Sequence, residues 1–119
     1  MSESRHLKVE AQLQRVLAEL VSREVKDPRV GNVTISAVSV APDLKTARVF
    51  FVPFGTSHSA EEVREGLTHA AGFLRGAAAR RLALRYAPRL HFVFDESFDR
   101  ADRLANLIAS ASEPGSRSQ

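Results

Sequence analysis

The chain has 119 residues, no cysteine and a formal net charge of +3. That length suits one domain with a hydrophobic core of its own. The lack of cysteine excludes disulfides, thiolate metal sites and thiol nucleophiles. No apolar run approaches a membrane span or a signal-peptide core, so a cytoplasmic protein is expected. The charge is unevenly spread: Glu61, Glu62 and Glu65 gather in one stretch, and Asp95, Glu96, Asp99 and Asp102 in another. Between them, from Gly66 to Phe94, there is no acid, only Arg75, Arg80, Arg81, Arg85 and Arg89 among the strong charges.

The first helix is expected over residues 4–26, capped by Ser4. Val9, Leu13, Val16, Leu17, Leu20, Val21 and Val25 recur on one helical face. Asp27-Pro28 ends it, because the residue before a proline is driven from helical geometry and proline has no N–H to donate. Val33 to Val40 then alternates as a strand, with a phase slip at Ser36-Ala37 that signals a bulge. A turn at Pro42-Asp43 leads into a second strand over Leu44 to Phe54, making an antiparallel hairpin. Ser59-Ala60-Glu61-Glu62 has the form of a capping box and opens the second helix. Val63, Leu67, Ala70 and Leu74 are its buried stripe.

Gly72 interrupts that helical pattern at a locally unfavourable place. The reading is a kink at Ala70-x-Gly72, where small residues permit close packing or expose N–H groups to an anion. The helix resumes through Ala77-Ala78-Ala79, and its end near Leu82-Tyr86 is not fixed by the pattern. Pro88-Arg89 turns the chain into a third strand, Leu90 to Phe94. A terminal helix is expected over 95–111 and a disordered Ser/Gly/Pro-rich tail over 112–119. Three strands with helices on one face make a two-layer α+β domain. The link from second to third strand is long enough for a crossover, and hence for a mixed sheet. Leu17, Leu67, Leu74 and Phe92 are expected in the core.

The basic residues Lys26, Arg29, Arg75, Arg80, Arg81, Arg85 and Arg89 are the candidate nucleic-acid contacts. Arginine offers a planar fork of donors matched to phosphate. Lys45 and Arg48 on the second strand read as solvated, though within reach of a phosphate. Phe50, Phe54, Tyr86 and Phe92 at strand spacing read as core rather than as a stacking platform. The four histidines are scattered, and the acids 95–102 read as a charged helix start. No catalytic constellation, metal site or cofactor is expected.

Four stretches, in order, carry a resemblance to a known family. Arg23-Glu24-Val25-Lys26-Asp27-Pro28-Arg29-Val30-Gly31 resembles the helix-ending segment of the ribosome-binding factor A family. Asp43 to Val52 resembles its second strand, Ala70-Ala71-Gly72-Phe73-Leu74-Arg75 its interrupted helix pair, and Pro88 to Asp95 its third strand. The resemblance runs from about Leu7 to Ile108. It implies a type II KH-like domain over 1–111, ordered α-β-β-α-kink-α-β, with the family's Ala-x-Gly kink in place of Gly-x-x-Gly. It also implies a non-enzymatic, monomeric assembly factor. Its partners would be the immature 30S subunit and 16S rRNA, whose maturation and processing it assists, with no small-molecule substrate and no membrane. A domain whose basic face binds an acidic partner protein is the alternative. Salt-dependent RNA binding separates the two.

Overall fold

The computed structural model describes residues 2–97. Helix α1 spans Ser2–Glu24, two residues earlier at each end than the sequence pattern suggests. Val9, Leu13, Val16, Leu17, Leu20 and Val21 are all buried, as one helical stripe must be. The helix stops short of Val25 and Lys26 because the next turn claims the backbone. The Asp27 carboxylate accepts the Arg29 N–H at 2.9 Å, and the Val30 N–H donates to the Asp27 carbonyl at 3.0 Å.

Strand β1, Val33–Val40, pairs antiparallel with β2, Thr46–Pro53. The register shifts between Ile35 and Ala37, so Ser36 is the expected bulge. The extra residue lets Ile35, Val38 and Val40 all face the core despite their uneven spacing. β2 starts at Thr46 rather than Leu44, because Leu44 has a left-handed backbone (φ 62°) and belongs to the turn.

Helix α2, Ala60–His69, opens with the expected capping box. The Ser59 hydroxyl accepts the Glu62 N–H at 3.1 Å and the Ser59 N–H donates to Glu62 Oε1 at 2.8 Å. Helix α3 runs over Ala71–Leu82. It ends with Ala83 in the left-handed region (φ 53°), where Leu84 N–H donates to Ala79 C=O at 2.9 Å and Ala83 N–H to Arg80 C=O at 3.3 Å. That is a Schellman cap built on alanine instead of the usual glycine.

Strand β3, Arg89–Phe94, lies parallel to β2, so the sheet is mixed, in the order β1-β2-β3. Ala47, Val49 and Phe51 of the central strand are fully buried beneath the helices. α1 packs on β1 and α3, and α2 packs on β3. Leu17, Leu67, Leu74 and Phe92 all lie in this core. The architecture is α+β and KH-like, with the helices on one face of three strands. Beyond Ser97, the expected terminal helix and the 112–119 tail lie outside the described residues.

This topology gives the sheet two distinct ends. One holds the C-terminus of α1 and the pair Val33–Pro53; the other holds the β1–β2 turn, the end of α3 and the pair Thr46–Arg89. Seven residue steps along β1 separate them, roughly 20 Å at strand rise.

Candidate nucleic-acid interface

The break between α2 and α3 sits at Ala70 (φ −88°, ψ 0°), which caps neither helix with its side chain. Gly72 is not the hinge. It lies in the first turn of α3 on the outer face, and a Cβ built there meets nothing within 4 Å. The inner face is carried by Leu74, Ala77 and Ala78. The close approach expected of Gly72 occurs instead at Gly66 on α2. A Cβ at Gly66 would stand 2.9 Å from Val30 Cγ2 and 3.2 Å from Arg29 Cβ. Gly66 therefore lets the turn after α1 lie directly against α2.

That contact fixes the first group of candidate cations. Arg29 grips Asp27 with two side-chain donors, Nε to Oδ1 at 3.1 Å and Nη2 to Oδ2 at 2.7 Å, and its Nη1 stands 3.7 Å from Glu65. The side-chain hydrogen bond from Arg29, then its backbone N–H, hold the Asp27 carboxyl down at about 2. Arg29 is thus a latch for the turn, with much of its charge answered locally. Lys26 beside it is exposed.

The remaining candidates divide by what they touch. Arg75 is half-buried and donates Nε to the Pro88 carbonyl at 3.0 Å and Nη2 to the Ala87 carbonyl at 2.9 Å. Its guanidinium fastens the loop after α3 rather than reaching outward. Arg81 pairs with Glu19 of α1 at 2.5 Å, and this hydrogen bond lowers the Glu19 pKa. Arg80, Arg85 and Arg89 are exposed and have no acid partner among the described residues. The cationic face read from the sequence is therefore not continuous: Lys26 and Arg29 lie at one end of the sheet, Arg85 and Arg89 at the other.

At that second end the structure builds a cleft of about 800 Å³ between the β1–β2 turn and the α3–β3 loop. Val9, Leu44, Leu84 and Pro88 supply apolar lining, and Lys45, Arg85 and Arg89 supply the charge. The Arg89 N–H donates to the Lys45 carbonyl at 2.8 Å, so the start of β3 is tied to the β1–β2 turn and both residues reach the cleft. Asp43, the one acid among the described lining residues, accepts the Lys45 N–H at 3.0 Å.

Sequence reasoning undervalued two residues here. Lys45 is part of this cationic rim. Tyr86 is not core but 78% exposed, and it also lines the cleft. Phe54, likewise read as core, is 54% exposed, whereas Phe92 is buried as expected. The hint at Tyr86 was its setting between Arg85 and Ala87-Pro88, which is loop composition. Arg48 lies over the Phe50 ring, 5.6 Å from its centroid.

The fold and the cleft define a small KH-like α+β domain with a cationic end. The family described as Ribosome-binding factor A matches residues 5–108. Ribosome-binding factor A of Nitrosomonas europaea is 46% identical over 108 residues, covering 91% of this chain and 92% of that protein. The protein of the same name from Methylobacillus flagellatus is 49% identical over 113 residues, covering 93% and 87%. The crystal structure of ribosome-binding factor A from Thermus thermophilus superposes with a TM-score of 0.69 at 34% identity, covering 75% of this chain and 93% of that one. A homology model of the Thermus thermophilus factor, fitted into the cryo-EM map of a 30S complex, matches with a TM-score of 0.62 at 32% identity, over 75% and 93%. The chain belongs to the ribosome-binding factor A family.

Proposed function

We propose that this chain binds the immature small ribosomal subunit and assists maturation of its 16S rRNA by holding RNA, without catalysing a reaction. The observation that carries this reading is the gathering of Lys45, Arg85 and Arg89, free of acid partners among the described residues, on the rim of one cleft. Arg80, exposed in the last turn of α3, adds a further cation without an acid partner among the described residues. The fit of a relative into a 30S complex supports the choice of partner.

Unanswered cations on a rigid rim suit a phosphate backbone. Each phosphate neutralised releases condensed counterions, so several weak contacts sum to a useful, salt-sensitive affinity. Arg75 and Arg81 serve this surface by position: one holds the α3–β3 loop, the other holds α3 to α1. Exposed Lys26 is a separate outlying contact, beside an Arg29 that holds the turn. Such a grip stabilises one conformation of unfinished rRNA and is lost when maturation removes that conformation.

The test replaces Arg80, Arg85 and Arg89 together by glutamate. All three are exposed, so the helical circular dichroism stays unchanged while co-sedimentation with immature small subunits is abolished. Unchanged co-sedimentation of the folded variant contradicts the proposal.

A further inference from the structure

Phosphate contacts alone need only a convex charged surface. This chain offers a concavity instead, of about 800 Å³, within the roughly 300–1,000 Å³ range of sites that enclose a small ligand. Its lining joins apolar side chains, four cations (Arg75 among them, committed to the loop) and one exposed aromatic ring. Tyr86 is 78% exposed, yet the loop that carries it is tied down on both sides. Arg75 holds the carbonyls of Ala87 and Pro88 from α3, and the Arg89 N–H is anchored to the Lys45 carbonyl. An exposed ring on a fixed loop, beside arginines, is the arrangement on which an unpaired base stacks.

The backbone supplies an independent mark. Among the described residues, only Leu44 and Ala83 adopt positive φ without being glycine. Leu44 lines the cleft from the β1–β2 turn, and Ala83 sets the direction of the loop that begins at Leu84. Strain of this kind gathers at ligand clamps, where the surrounding structure holds it in place. Both strained residues of the described chain thus serve opposite walls of one cleft.

We propose that this cleft takes one unpaired nucleotide of single-stranded RNA, its base stacked on Tyr86 over the apolar lining and its flanking phosphates held by Lys45, Arg85 and Arg89. The inference rests on the RNA-binding reading above and narrows it. A duplex keeps its bases stacked inside and offers Tyr86 nothing but backbone. Asp43 repels phosphate at its corner of the rim, so the strand passes over the arginine side.

The chain carries its own probe, since Tyr86 is its single tyrosine and there is no tryptophan. The full chain is titrated with a short single-stranded RNA, with the same sequence as a duplex, and with a nucleoside monophosphate. The single strand is expected to quench the tyrosine emission to saturation. The duplex leaves it nearly unchanged, and the mononucleotide, with one phosphate in place of two flanking ones, binds much more weakly. Tyr86→Ala weakens single-strand binding on the order of tenfold with its salt dependence unchanged, and Tyr86→Phe restores it. Tyr86→Ala binding like the parent, a duplex that quenches as well as the single strand, or a mononucleotide that binds as tightly each overturns the proposal. If Tyr86→Ala is without effect while the triple arginine variant loses RNA, the backbone grip stands and only the base site fails. Absence of any RNA binding by the parent chain defeats both.

Discussion

The two ends of the sheet treat their charges in opposite ways. Where α1 finishes, Arg29 closes on Asp27 and approaches Glu65, Arg64 pairs with Glu61, and Gly66 lets the turn lie flush on α2. Where α3 finishes, Lys45, Arg85 and Arg89 line a cleft whose one acid among the described lining residues is Asp43, and its carboxylate turns back onto the Lys45 N–H. The first end uses charge to fix the chain; the second keeps charge in reserve and spends backbone strain at Leu44 and Ala83 to shape a cavity. Arginine count alone does not distinguish a latch from a contact surface. The number of donors already committed inside the chain does.

The largest effect that would break this contrast is expected at Arg75. Arg75→Ala removes two charge-assisted hydrogen bonds and leaves the carbonyl of buried Pro88 without its donor. The cost is about 1.5–3 kcal/mol in urea unfolding, with a parallel loss of RNA affinity because the loop carrying Tyr86 is released. Arg75→Lys does not recover both bonds, since an ammonium cannot reproduce the fork. Next comes the packing at the opposite end. Gly66→Ala forces Val30 away and costs about 1–3 kcal/mol, only partly offset by roughly 1 kcal/mol of helix propensity, with RNA binding unaltered. Gly72→Ala, in open space, should instead gain up to about 1 kcal/mol, which denaturant midpoints will show as a shift of opposite sign. Ala83→Gly relieves the left-handed alanine and stabilises by about 0.5–1 kcal/mol.

The smallest effect is that of pH on the latch. The Asp27 carboxyl is held at about 2 in the folded chain against an ordinary 3.8. A depressed carboxylate contributes stability that is complete above the ordinary value and lost as pH falls through the folded one. Melting curves between pH 4 and 2 should therefore fall less steeply for Asp27→Asn than for the parent, and the two should converge below pH 2. The pair is half-buried, so added salt reduces the difference only in part.

Local rules written in neighbouring residues were legible beforehand. The stripe of α1, the Ser59–Glu62 capping box and the bulge at Ser36 follow from spacing and side-chain chemistry alone. So does the mixed sheet, from the length of the chain between β2 and β3. Where the sequence misled, a residue occupied geometry its type disfavours. Leu44 read as strand and the helix end at Ala83 went unfixed, because the left-handed positions that usually announce themselves by glycine are here filled otherwise. Gly72, the residue that did announce itself, is at neither the hinge nor a close contact. The identity of the cations was visible but their availability was not. Arg81 finds Glu19 from 62 positions away, Arg75 bends to its own loop, and Lys45 and Arg89 share a cleft only because β3 starts against the β1–β2 turn.

The salt dependence of RNA binding tests the reserve of charge at the α3 end most directly. Glutamine in place of Lys45, Arg85 or Arg89 should each lower the slope of log affinity against log salt by about 0.7 for a single strand, whereas Arg64→Gln at the latched end should leave it unchanged. Equal slopes for all four variants, or a loss confined to Arg64→Gln, would contradict the account.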